Sequence, residues 1–182
     1  MSVDPTNAAA EVSERTPAQA SGRTSVQAPV PGRAVPLSEV PDPVFSEQMV
    51  GPGAAVDPPR EVVDAVAPID GTLVKVHPHA FVVQSDAGLA VLVHLGIDTV
   101  QLAGEHFTVL AQEGSRVSVG DVVTRWDTGA VEAGGRNPIV PVIVLDQPPE
   151  HVVLGDAVTT GGHVSAGEGL LTVAAAGASA PA

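Results

Sequence analysis

The chain has 182 residues, 44% of them hydrophobic but only 2% aromatic, so it can bury one full core of Val, Leu, Ile and Ala and is too short for two substantial domains. A net charge of −13, with Lys75 the only lysine, supplies no basic stripe to neutralise a phosphate backbone and excludes nucleic acid as a partner. Zero cysteines exclude disulfides, thiolate metal sites and Cys nucleophiles, and the sequence has no signal-like N-terminus and no run of the ~18 apolar residues that a membrane span needs, so a soluble cytoplasmic protein is expected.

In chain order, residues 1–25 are rich in Ala, Ser, Thr, Pro and Glu without apolar periodicity, the composition of a disordered arm. The folded body is expected over residues 26–173, followed by a disordered Ala-rich tail at 174–182. Within the body, 19 Gly and 17 Pro punctuate short Val-rich runs, which predicts an all-β, compact antiparallel sandwich or barrel-like fold. The clearest strands are Thr72 to Val76, Ala80 to Ser85 and Leu89 to Leu95. Ser85-Asp86-Ala87-Gly88 is a turn joining the last two into a hairpin.

Two internal echoes point to a duplicated architecture. Gly114-Ser-Arg-Val117-Ser-Val-Gly120-Asp121 returns 47 residues later as Gly161-Gly-His-Val164-Ser-Ala-Gly167-Glu168. Ala28-Pro29-Val30-Pro31-Gly32 returns 39 residues later as Ala67-Pro68-Ile69-Asp70-Gly71.

Of six histidines, His106, His151 and His163 lie in polar, turn-like stretches and read as surface residues. His94 ends an otherwise apolar strand and is followed by Gly96, which lets backbone approach the ring closely. A rigidly held neutral imidazole, with one nitrogen fixed by a backbone acceptor and the other free, is a competent nucleophile near pH 7. Antiparallel pairing across the four-residue turn, with paired residue numbers summing to 173 or 174, is expected to set His79 opposite His94 at the first of these values. Two imidazoles would then meet on neighbouring strands, one able to attack and the other able to donate a hydrogen bond to phosphoryl oxygens.

The run Val93-His94-Leu95-Gly96-Ile97-Asp98-Thr99-Val100, preceded by His79-Ala80-Phe81 and Ala67-Pro68-Ile69-Asp70-Gly71-Thr72, closely resembles the glucose-type IIA domain of the bacterial sugar phosphotransferase system. Further matching blocks are Val40-Pro41-Asp42-Pro43-Val44-Phe45-Ser46-Glu47 with Val50-Gly51, Glu113-Gly114 with Val117 and Val119-Gly120-Asp121, and Pro141-Val142-Ile143-Val144, in an order and spacing that cover nearly all of 26–173. The resemblance implies a duplicated β-sandwich in which His94 accepts a phosphoryl group at Nε2 from the histidine-containing phosphocarrier protein HPr. His94 then passes it to a cysteine on the IIB domain of a sugar permease of the glucose, N-acetylglucosamine or glucoside class. It implies that His79 stabilises the group in transfer and that Asp42 and Asp98 meet basic groups of partners. Val44, Phe45, Met49, Val50 and Phe81 would form an apolar docking collar, with Gly96 in the contact region. No cofactor or resident metal is implied, zinc entering only at a regulatory interface; regulated transporters or enzymes are further partners. The chain departs from better-known members in a shorter segment between Gly71 and His79, and in having His77 where a threonine stands two before the first histidine.

Two other classes share parts of this pattern. His94-Leu-Gly-Ile-Asp98 with His77-Pro-His79 resembles the ligand motifs of peptidoglycan-cleaving zinc metallopeptidases, in reversed order. The Gly114-x-x-Val117-x-x-Gly120-Asp121 pattern occurs in biotinyl and lipoyl carriers, which need a lysine at a hairpin tip, whereas Lys75 lies inside an expected strand.

Overall fold

A computed structural model of the protein describes residues 22–175. Fourteen strands occur among them, in the order β1 Arg23–Gln27, β2 Gly32–Pro36, β3 Gly53–Asp57, β4 Val62–Val66, β5 Gly71–His77, β6 Ala80–Gln84, β7 Ala90–His94, β8 Phe107–Val109, β9 Arg116–Val117, β10 Val122–Asp127, β11 Val140–Val144, β12 Val152–Leu154, β13 His163–Val164 and β14 Gly169–Ala174. Three short helices interrupt them: α1 Pro43–Ser46, α2 Thr128–Ala133 and α3 Asp156–Thr160. An eight-stranded sheet runs β13-β2-β3-β11-β7-β6-β5-β9, and two three-stranded sheets run β1-β14-β12 and β4-β10-β8. Every pairing is antiparallel. The result is the expected all-β sandwich.

The sequence echoes are one structural unit used twice. Gln27 N–H donates to Pro68 O at 2.9 Å, and Val66 N–H, its counterpart 39 residues on, donates to Pro29 O at 2.8 Å. Ala28 is clasped by Glu168 and Gly167 as Ala67 is clasped by Asp121 and Gly120, through backbone bonds of 2.7 to 3.1 Å. In each clasp an acidic side chain accepts from a serine amide at 2.8 Å, Ser118 to Asp121 and Ser165 to Glu168. The turns require φ of +89° at Gly120 and +84° at Gly167, where a Cβ is disfavoured. The large sheet accordingly reads as two halves meeting at the central β11–β7 pair.

Strand alternation splits the apolar residues between two clusters. Ala54 and Val56 of β3, Val140, Val142 and Val144 of β11, and Val91 and Val93 of β7 face the main core with Leu73, Phe81, Val83 and Trp126. Val35, Ala55 and Ile143 face a smaller cluster with Leu37, Val40, Phe45, Ile97 and Ile139, against which Leu92 packs. Strands β3 and β11 read as continuous apolar runs because both of their faces are covered.

Two expectations change here. Arg23, Thr24 and Ser25, assigned to the arm, form most of β1, and Ala174, assigned to the tail, pairs with Arg23. A backbone ladder does not require apolar side chains, and buried Val26 anchors the strand. The remaining arm and tail, 1–21 and 176–182, lie outside the described residues. Phe81, expected in the docking collar, is 1% exposed and packs in the main core, so it offers nothing to a docking partner. Phe81→Ala is therefore expected to cost about 3–5 kcal/mol of unfolding free energy. Met49→Ala, at a 70% exposed position, is expected to change it by less than ~0.5 kcal/mol. Urea unfolding followed through the single tryptophan, Trp126, checks both; a Phe81→Ala protein as stable as the parent would contradict the core assignment.

Candidate functional site

Because Val91 and Val93 point into the main core, His94 points the other way, toward the smaller cluster. Phe45 reaches its ring from α1 at a centroid distance of 5.2 Å. That one-turn helix begins at Asp42, whose Oδ1 accepts from the Val44 amide at 2.8 Å, and Pro43 at its first position presets the backbone. After β7 the chain turns at Gly96, with φ of +86°. A Cβ there would lie 2.6 Å from Thr99 Cγ2 and 3.1 Å from Asn137 O, so only glycine fits. The turn brings the Gly96 carbonyl to 2.6 Å from His94 Nδ1. A carbonyl can only accept, so Nδ1 carries the proton and Nε2 keeps its lone pair.

His79 arrives by a different route from the one expected. The hairpin register sums to 174, with Ala80 opposite His94 and Phe81 opposite Val93. His79 thus falls beyond the ladder, where its carbonyl accepts from the Leu95 amide at 2.7 Å. His77 pairs with Ala80, leaving Pro78-His79 as a two-residue turn. Proline at its first position rules out the positive φ of types I′ and II′. A residue in a turn is free of strand alternation, and the His79 ring meets that of His94 edge-on at 5.4 Å. The exposed His77 ring stacks on His79 at 5.7 Å.

Burial pushes the His94 imidazole below its ordinary pKa, opposed by the Gly96 carbonyl and by the carboxylates of Asp42 and Asp98. His79 is also pushed down, chiefly by burial and then by the two neighbouring imidazoles. Both rings are held neutral near pH 7.

The other expected site residues divide. Val44, Met49 and Val50 are exposed around α1, with Asp98 exposed and Asp42 half-buried. Phe45, at 7% exposure, is not part of an open collar but packs beside His94. Gly96 is buried and acts through its carbonyl rather than as a docking contact. Sequence reasoning missed Thr99, whose hydroxyl donates to Leu95 O at 2.7 Å, and Asn137, whose carbonyl accepts from the Ile97 amide at 2.8 Å. It also missed Arg136, which donates to Asp98 O at 3.2 Å. Asn137 and Arg136 sit in a Gly- and Pro-flanked segment, Gly134-Gly135-Arg136-Asn137-Pro138, that only the tertiary fold carries to the His94 loop. The rings of His77, His79 and His94 lie close together, but among the described residues no group of three or more His, Cys, Asp or Glu is arranged to hold a metal ion as the metallopeptidase motifs would need. Lys75 pairs with Val82 inside the ladder, not at a hairpin tip as a carrier would need.

Residues 24–149 match the family model described as phosphoenolpyruvate-dependent sugar phosphotransferase system, EIIA 1. The chain is 37% identical over 160 residues to the glucose-specific EIIA component of Oceanobacillus iheyensis, covering 87% of this chain and 92% of that protein. Its fold is similar to that of the glucose permease IIA from Mycoplasma capricolum, with a TM-score of 0.74 and 31% identity over 82% of this chain and 95% of that one.

Histidine NMR titration checks the electrostatics. Both rings are expected to protonate below the ordinary value of 6.5, and His94 to show the Nδ1–H tautomer when neutral. A His94 ring that protonates above 6.5 would contradict the burial argument.

Proposed function

The chain belongs to the EIIA 1 family of the phosphoenolpyruvate-dependent sugar phosphotransferase system, and from that premise we propose that its phosphoryl relay runs through Nε2 of His94. The observation that carries the assignment is the 2.6 Å contact between His94 Nδ1 and the Gly96 carbonyl, which leaves Nε2 as the nucleophilic nitrogen.

The donor is a phosphohistidine of HPr. The Nε2 lone pair attacks phosphorus as the donor's P–N bond breaks, its electron pair returning to the donor ring. The His94 ring, now substituted on both nitrogens, gains positive charge, which the Nδ1–H bond to Gly96 O stabilises. The same charge keeps His94 a good leaving group. In the second transfer a thiolate of the IIB domain forms the S–P bond, and the Nε2–P electron pair returns to the ring. Phosphoryl transfer through a loose transition state asks the protein mainly for alignment and charge stabilisation. His79, 5.4 Å away between ring centroids, donates its N–H to a phosphoryl oxygen.

Docking follows from the rim. Exposed Val44, Met49 and Val50 exclude water that would hydrolyse the phosphohistidine, and Asp42 and Asp98 attract basic groups of HPr and IIB. Each transfer needs no cofactor, and the relay belongs to the cytoplasm, where phosphoenolpyruvate is generated. No described helix is long and apolar enough to cross a membrane. The unphosphorylated protein has the same surface available for binding other transporters or enzymes, with zinc confined to such an interface.

Incubation with phosphoenolpyruvate, enzyme I and HPr, followed by intact-mass measurement, tests the reading. One phosphoryl group is expected on the parent protein and none on His94→Ala. His79→Ala is expected to be labelled but to transfer onward to a IIB domain slower by about a hundredfold or more. An unlabelled parent protein sinks the relay, and normal onward transfer by His79→Ala removes the role given to that ring.

A further inference from the structure

The Gly96 carbonyl acts on His94 only if the loop after β7 holds its shape, and that loop is conformationally costly. Besides Gly96, it places the non-glycine residues Asp98 and Ala103 in left-handed backbone, with φ of +58° and +50°. Left-handed backbone is disfavoured for a residue that carries a Cβ, so contacts must hold the loop in this shape. Thr99 ties the loop to Leu95 O internally. The loop's first residue is held by the Leu95 amide on His79 O, and Ile97 and Leu102 pack against the two clusters. A further hold comes from residues 134–137, about 40 positions away in sequence, where Asn137 O takes the Ile97 amide. From there the Arg136 guanidinium forks over three acceptors: Asp98 O at 3.2 Å through Nε, the Gln101 side-chain oxygen at 3.0 Å through Nη2, and Gly134 O at 3.3 Å through Nη1.

Arg33, Arg60, Arg116 and Arg125 each reach a carboxylate within 4 Å. The three hydrogen-bond acceptors of Arg136 are all uncharged. What they require is the planar fork of donors, which lysine lacks.

We infer that Arg136 is a positioning residue for phosphoryl transfer: it staples the Leu95–Ala103 loop so that the Gly96 carbonyl holds the proton on His94 Nδ1. This rests on the reading of His94 as the acceptor. A displaced carbonyl releases the ring to its alternative neutral tautomer, in which Nε2 carries the proton and has no lone pair for phosphorus.

The test compares the parent chain with Arg136→Lys and Arg136→Ala, using two readouts. The first is the His94 tautomer by nitrogen NMR of the unphosphorylated protein, which needs no phosphoryl donor. The second is the rate of labelling by phosphorylated HPr. Both variants are expected to lose the single Nδ1–H tautomer and to label about tenfold or more slowly at saturating HPr, with the half-saturating HPr concentration little changed because α1 is untouched. Parent-like tautomer and rate in both variants would overturn the inference. So would full rescue by lysine, which would assign the effect to charge. If Arg136→Ala fails to fold, Gln101→Leu removes one arm of the fork and is expected to move both readouts in the same direction by less; no movement counts against the staple. Failure of the parent itself to label would refute the relay, while the tautomer readout still judges Arg136.

Discussion

One hydrogen bond, from His94 Nδ1 to the Gly96 carbonyl, is what the proposed relay depends on. Such a bond contributes only about 0.5–1.5 kcal/mol to stability. Its importance is directional, because it decides which nitrogen of a half-buried imidazole is free. Strand β7 anchors Val91 and Val93 in the core and thereby turns His94 outward, while Gly96 reverses the chain where no side chain would fit. Burial keeps the ring neutral, and the carbonyl keeps the neutral ring in one tautomer.

The scaffold is two-fold, yet the site occurs once. Ile143 faces Gly53 across the β11–β3 ladder as His94 faces Ala80 across β7–β6. The carbonyl of Pro52 accepts the Val144 amide at 2.8 Å as that of His79 accepts the Leu95 amide at 2.7 Å. The two frameworks are thus equivalent and the side chains are not. Where one half places two imidazoles, the other places a proline and a fully buried isoleucine that helps fill the smaller cluster. The repeated unit supplies a rigid antiparallel frame, and a few differing side chains set two imidazoles together at one end and apolar packing at the other.

Much of this was legible in the sequence because it is local. The Ser85 to Gly88 turn closes as its residues dictate, with the Ser85 amide on Leu89 O and φ of +87° at Gly88. The Gly-Asp and Gly-Glu clasps repeat in structure as they repeat in letters. His94 at the end of an apolar strand announced a placed imidazole. The rest depended on single-residue register or on distant packing. Phe81 differs from a surface position by one step of strand parity, which an apolar run such as Ala80-Phe81-Val82-Val83 does not reveal. The convergence of His79 on His94 was foreseen through direct opposition, but the turn at Pro78-His79 achieves it outside the ladder. Arg23 to Ser25 join β1 through backbone bonds to β14, contacts to which polar side chains give no clue. Arg136 reaches the site only through the tertiary fold, so no local pattern could have singled it out.

The central claim concerns a particular nitrogen, and it is tested most directly by assigning the phosphorylated atom. In protein labelled with nitrogen-15 in its histidine rings and phosphorylated by HPr, phosphorus–nitrogen coupling identifies the bonded position. The account predicts coupling to Nε2 of His94, with Nδ1 still protonated. Phosphorus bonded to His94 Nδ1, or to a ring other than His94, would contradict it.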